Sequence, residues 1–159
     1  MAEGGGRARE RRLELQGDPD DWDAAAWFGR VVIVPDRHWG FAAVGRDGHP
    51  GVTLSPASLD QRHQAALKGT SLGDRRPRAC DLVVEPDDEN GLHHATRFDL
   101  WPRRLARRGL ELMVRDRLVG RLSEADRARL TAELERVLRS GRPEHVRGDT
   151  AGDTGEDDR

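Results

Sequence analysis

Val31-Val32-Ile33-Val34 is an unbroken β-branched run that follows Gly29 and stops at Pro35. Such side chains suit a pleated surface and proline cannot donate to a ladder, so the run predicts a short buried strand over about 30–34. The same punctuation recurs along the chain. Phe41 to Val44 lies between His38-Trp39-Gly40 and the Gly-rich stretch Gly45 to Gly51, which reads as a strand pair joined by a turn, with Val52 to Leu54 resuming extended structure. Further strands are expected at Asp81-Leu82-Val83-Val84 before Pro86, at Ala95 to Leu100, and at Leu110-Glu111-Leu112-Met113-Val114. Short strands broken by Gly and Pro at close intervals point to a small barrel over about 30–119.

A helix should close the chain from about Glu124 to Arg139. Ser123 can cap it, Leu130, Leu134, Val137 and Leu138 fall on one face, and Gly141 and Pro143 supply the stop. Its other face, with Arg127, Arg129, Glu133 and Arg136, is polar, so the apolar stripe should cover the end of the barrel, with Leu130, Leu134 and Leu138 packed on it. Trp22 and Trp27, separated by Asp23 to Ala26, read as a short amphipathic lead-in packing on the same body.

Both ends differ from this middle. Residues 1–20 are Gly- and Arg/Glu-rich and are expected to be disordered or loosely packed, residues 21–141 to form the domain, and residues 142–159 to be a disordered acidic tail. The formal net charge of -2 hides this division: Asp149, Asp153, Glu156, Asp157 and Asp158 face only Arg159, and the rest of the chain stands at about +2. Arginines crowd residues 97–121. That surplus suits a polyanion, because each phosphate contact releases a counterion, and it equally fits a genomic preference for Arg codons, with Lys68 the chain's one lysine.

No apolar run approaches the ~20 residues that span a bilayer, and charges sit where a signal peptide would need an apolar stretch, so a cytoplasmic protein without membrane contact is expected. Cys80 is the only cysteine, which excludes an internal disulfide and a cysteine-based zinc site. As a nucleophile beside Arg75, Arg76 and Arg78 it is conceivable, but an idle buried thiol is the commoner outcome. Adjacent His93 and His94 would point to opposite sides of an extended segment, so no metal site is expected, and no cofactor.

Taken in order, these segments resemble the MazF/PemK family of toxins over about residues 29–140. Gly29 to Val34 resembles the family's opening strand, and Pro50-Gly51-Val52-Thr53-Leu54-Ser55 the strand carrying its Arg-Pro dipeptide. Lys68-Gly69-Thr70-Ser71 resembles the Thr-Ser pair ending a later strand. Asp81 to Leu92 looks like the strand followed by an acidic turn and Gly-Leu, and Ala95 to Asp99 like the strand ending in Asp. Val119-Gly120-Arg121-Leu122-Ser123 is similar to the terminal Gly-x-Leu-Ser and closing helix. Two departures stand out: His49-Pro50 replaces Arg-Pro, and Leu105 to Leu118 is longer than the family's counterpart.

The resemblance implies a mainly β chain with α, a small SH3-like (CcdB/PemK-like) antiparallel barrel with a C-terminal helix. It also implies metal-independent cleavage of single-stranded RNA by a homodimeric toxin that a cognate antitoxin neutralises. Such chemistry needs a group to take the 2′-proton, a donor for the departing 5′-oxygen, and positive charge on the phosphorane. Thr70 and Ser71 sit where the family's hydroxyl is expected. His49 could act as acid or base where an arginine could only stabilise charge, and Arg46, three residues earlier, supplies charge. Arg46, His49, Thr70 and Ser71 are therefore the catalytic candidates, and Trp39, Lys68, Arg75 and Arg76 the RNA-contact candidates, Trp39 by stacking on a base. The plainer alternatives are that His49 is a turn residue, that Thr70-Ser71 caps a turn, and that the barrel is a catalytically degenerate module binding RNA or protein.

Overall fold

The structure, a computed structural model, describes residues 21–39, 48–54 and 63–141. The expected strand at Phe41 to Val44, the two chain ends and Arg46 lie outside these. Strand β1 (Arg30–Val34) is buried on both faces, which is why Val31 to Val34 is continuously apolar rather than alternating. Val31 belongs to one core cluster, with Leu67, Leu82 and Phe98; Val32 and Val34 belong to a second, with Trp27, Trp39 and Leu110.

Around β1 the strands β2 (His49–Thr53), β3 (His63–Ser71), β4 (Asp81–Val84), β5 (Thr96–Asp99), β6 (Arg103–Ala106) and β7 (Leu118–Arg121) pair antiparallel in the order β4-β5-β3-β2-β1-β7. The long strand β3 organises this sheet. Its start pairs with β6 through Ala66↔Arg103 and its end with β5 through Gly69↔Phe98, while β2 occupies its other edge at residues 66–68. The result is a curled antiparallel half-barrel, mainly β with a C-terminal helix, compatible with a small barrel.

The acidic turn after β4 folds onto the far edge. Asp87 accepts from the backbone N–H groups of Glu89 and Asn90, and fully buried Asn90 accepts from Leu92 and donates to the Glu85 carbonyl. Gly91 takes a positive φ of 65°, and the Arg121 N–H donates to the Glu89 carbonyl at 2.8 Å. At this contact a Cβ on Gly120 would stand 2.2 Å from the Glu89 oxygen, so only glycine admits the turn.

Trp27 closes the short helix α1 (Ala24–Trp27), capped by Asp23, and packs edge-to-face on Trp22 at 5.1 Å. The Arg30 guanidinium lies 4.1 Å over the Trp22 ring. Thr53 donates from its hydroxyl to the Trp27 carbonyl, which ties this lead-in to β2.

Two sequence expectations are corrected. Leu110 to Val114 is not a strand: it lies within helix α2 (Arg107–Arg117), where Leu110, Met113 and Val114 recur at helical spacing and are buried on the second cluster. Ala106 precedes this helix without a side-chain cap, so the local sequence carries no start signal. Helix α2 fills most of the stretch from Leu105 to Leu118. The second concerns α3 (Glu124–Ser140), which forms with Ser123 capping at the Asp126 N–H. Leu130 and Val137 are buried and Leu134 packs beside them, whereas Leu138 is 53% exposed. Position 137 comes round closer to the meridian of Leu130 than position 138 does.

Candidate functional site

In β3 the alternation sends Leu67 into the first core cluster and puts Lys68 and Thr70 on the other face of the sheet. Thr70 pairs directly with Arg97 of β5. On the opposite edge β2 pairs as Gly51↔Lys68 and Val52↔Leu67, and continuing that register by two residues sets His49 against Thr70. His49, Thr70 and Arg97 thus come from three neighbouring strands as a row along one groove, with Thr70 and Arg97 directly paired. Gly69 makes the row tight. A Cβ there would stand 2.6 Å from Phe98 Cε1, so the ring of Phe98 fills the space and draws β5 against the end of β3.

The row lies in a groove of about 660 Å³ whose walls include Lys68, Ser71, Asp74 and Arg75. Among the described residues the lining holds Lys68, Arg75 and Arg97 beside one carboxylate, Asp74. Arg97 is largely buried, at 14% side-chain exposure, and its Nη1 lies 3.6 Å from Asp81 Oδ2. Asp81, with a fully buried side chain, is also held by the Arg78 backbone N–H at 2.8 Å and by Arg78 Nη2 at 3.0 Å. One end of the Arg97 guanidinium is thereby anchored, while its buried Nε has no hydrogen-bond partner among the described residues. A buried cationic donor left unsatisfied is costly.

His49 is the first residue of β2, paired with Val34, rather than a residue of a turn. The turn element is Gly48, whose φ of +146° leaves no room for a side chain: a Cβ would stand 2.4 Å from the Val34 oxygen. His49 Nδ1 lies 2.5 Å from Oδ1 of Asp36, a buried residue at the start of the 3-10 turn Asp36–Trp39. A carboxylate can only accept, so Nδ1 carries the hydrogen and Nε2 is the basic nitrogen.

Five of the candidates read from the sequence thus gather in one groove: His49, Lys68, Thr70, Ser71 and Arg75. Arg76 is exposed and outside its lining. Arg46 lies outside the described residues. Trp39 corrects the expectation made for it: at 4% exposure it sits in the second core cluster, its ring against Gly51, where a Cβ would stand 2.9 Å from Cζ2. The ring covers the sheet and offers no open face to a base. Gly51 is what lets it lie there.

Two residues escaped the sequence reading. Arg97 appeared there only as part of an arginine surplus, although alternating Thr96-Arg97-Phe98 already marks it as the outward residue of its strand. Asp36 carries no local signal, because its partner His49 comes to it through strand pairing. Cys80 is buried, and burial pushes its thiol up from the ordinary range, which opposes a nucleophilic role. No protein-family model matches the chain, and no curated protein matches it.

Proposed function

We propose that the groove binds single-stranded RNA and cleaves it by attack of a ribose 2′-hydroxyl on the adjacent phosphorus. The observation that carries this is the row His49–Thr70–Arg97, which brings a basic nitrogen, a hydroxyl and a cationic donor to one groove face. His49 Nε2 takes the 2′-proton as the 2′-oxygen–phosphorus bond forms, and Asp36 steadies the resulting imidazolium. Arg97 and the Thr70 hydroxyl donate to the phosphorane oxygens. The bond to the 5′-oxygen breaks, that oxygen takes a proton from water, and His49 returns its own to solvent. The products are a 2′,3′-cyclic phosphate and a 5′-hydroxyl, and the proton balance is zero.

In this reading His49 replaces the family's Arg-Pro arginine in position, Arg97 replaces it in charge, and no metal ion takes part. Binding rests on phosphate contacts from Lys68, Arg75 and Arg97, since the Trp39 ring is committed to the core. The order of segments that resembles the MazF/PemK family supports the wider role: a homodimeric, cytoplasmic toxin of a toxin-antitoxin pair, restrained by a cognate antitoxin laid across this groove. Among the described residues no helix is long and apolar enough to cross a membrane.

The test is incubation of the purified chain with a long unstructured RNA. Fragments ending in 2′,3′-cyclic phosphate and 5′-hydroxyl support the nuclease. A chain that binds the RNA and leaves it intact is instead a binding module built on the same groove.

A further inference from the structure

Register sets Arg30, the first residue of β1, directly opposite Arg121, the last of β7. Like charges so placed destabilise a sheet. The Arg121 side chain spans the α1–β1 turn, donating from Nη2 to the Ala25 carbonyl at 2.9 Å and from Nε to the Phe28 carbonyl at 3.4 Å, while Arg30 Nε donates to the Ala26 carbonyl at 2.7 Å. A third guanidinium reaches the same turn. Arg127, in the first turn of α3, lays its stem along Gly29, where a Cβ would stand 2.9 Å from Arg127 Cγ and Cδ, and its Nη1 donates to the Leu122 carbonyl at 3.0 Å. The three charges act on one another: burial, and then Arg121 and Arg127, push the Arg30 guanidinium down to about 10, and burial followed by Arg127 lowers that of Arg121.

We propose that Arg121 and Arg127 hold a phosphate group at this turn, with the buried Arg30 behind them adding positive potential. Among the described residues no carboxylate pairs with Arg121 or Arg127, whose hydrogen bonds all go to backbone carbonyls. Acids on the adjoining elements are engaged elsewhere: Asp23 accepts from the Ala26 N–H at the head of α1, and Asp126 pairs with Arg129 at 2.8 Å. Both arginines are half-buried, where a charge is screened less than in open water. A guanidinium carries five N–H donors, of which Arg121 commits two and Arg127 one, so most remain for a ligand. A terminal phosphate brings a charge of about −1.5 to −2 and three strong acceptor oxygens, a closer match to two guanidiniums than the single charge of a carboxylate. The site is separate from the groove. Strand β1 has Arg121 opposite its first residue and His49 opposite its last, ~13 Å away at ~3.3 Å per residue. It stands whether or not the groove cuts RNA.

The test reads the arginine Nε–H resonances of the isotope-labelled full chain as inorganic phosphate is added near neutral pH at constant ionic strength. Those of Arg121 and Arg127 should move together and saturate, while that of Arg139, exposed in the last turn of α3, stays in place. Arg127→Gln keeps both carbonyl contacts of Arg121 and should weaken phosphate binding ~10-fold or more, the loss of a charged donor. An oligouridylate arm separates the sources of the phosphate. For an RNA backbone phosphate, Arg121→Gln with Arg127→Gln should lower the slope of log affinity against log salt by ~0.7. An unchanged slope, with inorganic phosphate binding lost in the same variant, assigns the site to a free phosphate or a phosphate monoester. Signals of Arg121 and Arg127 that respond to neither phosphate nor oligouridylate, or that acetate moves as far at the same ionic strength, would overturn the proposal.

Discussion

Thr70 and Arg97 face each other across the ladder that joins β3 to β5, so a hydroxyl and a guanidinium stand side by side on the groove face of the sheet. If both donate to the phosphorane, Arg97→Gln should lower the cleavage rate by ~10²–10³, the usual loss for one such donor. It should also reduce the slope of log affinity against log salt by about one, because one phosphate contact is gone. Thr70→Ala should slow cleavage and leave RNA affinity nearly unchanged. Fluorescence anisotropy and gel-resolved rates separate the two effects, and an Arg97→Gln chain that cleaves at the wild-type rate would remove Arg97 from the mechanism.

Asp36 touches the reaction only through His49, whose Nδ1 it receives at 2.5 Å. Asp36→Asn offers an amide that can donate to Nδ1, which favours the tautomer with hydrogen on Nε2 and withdraws the base. The expected result is a rate loss of ~10² or more at unchanged RNA affinity, within the range for a general base. Recovery of activity in Asp36→Glu would mark the residue as a positioning carboxylate, whereas equal losses in both variants would mean it only holds the turn.

Glycines at two close approaches differ in what surrounds them. A Cβ at Gly120 would meet the Glu89 oxygen at 2.2 Å and the Asn90 carbonyl carbon at 2.7 Å, both backbone atoms that cannot swing away. Gly120→Ala should cost ~1–3 kcal/mol in urea unfolding. Gly109, inside α2, has Met113 Cε as its nearest neighbour at 3.6 Å, and Gly109→Ala should gain ~0.5–1 kcal/mol through helix propensity.

The legible parts of the sequence were those whose signal is local. The β-branched run at Val31 to Val34, Asp81 to Val84 before a proline, and a capped stripe at Leu130 each announce one element, and each forms. Helix α2 did not, because it starts after an uncapped Ala106 and its apolar residues are diluted by arginine. Strand β6 hides for a related reason, as Leu105 is its one buried residue. In the groove, Thr70 and His49 came from the resemblance, while Arg97 and Asp36 depend on pairings between distant segments that no window of sequence contains. Trp39 failed as a base contact because a loop position in sequence became a core position once Gly51 passed beneath it.

Burial raises the Cys80 thiol, with Arg78 opposing and Asp99 and Asp81 adding to the shift. The folded chain therefore holds this proton to higher pH than the unfolded chain does. Its contribution is fully present below the unfolded thiol's range, near ~8.5, and is lost as pH climbs through the folded value. As pH rises above the unfolded thiol's ~8.5, the unfolding free energy of the wild type should fall relative to Cys80→Ala, followed by urea titration at each pH. A parallel pair of curves would contradict the assignment.

In the proposed mechanism His49 moves the proton in a reaction run by side chains alone. The decisive quantity is the single-turnover rate at which the wild type and His49→Ala cleave a long unstructured RNA in excess EDTA. Full wild-type cleavage in EDTA is expected, with a loss of ~10²–10⁴ in His49→Ala and equal RNA affinity in the two proteins. Equal rates in both proteins, or wild-type cleavage abolished by EDTA, would contradict the mechanism.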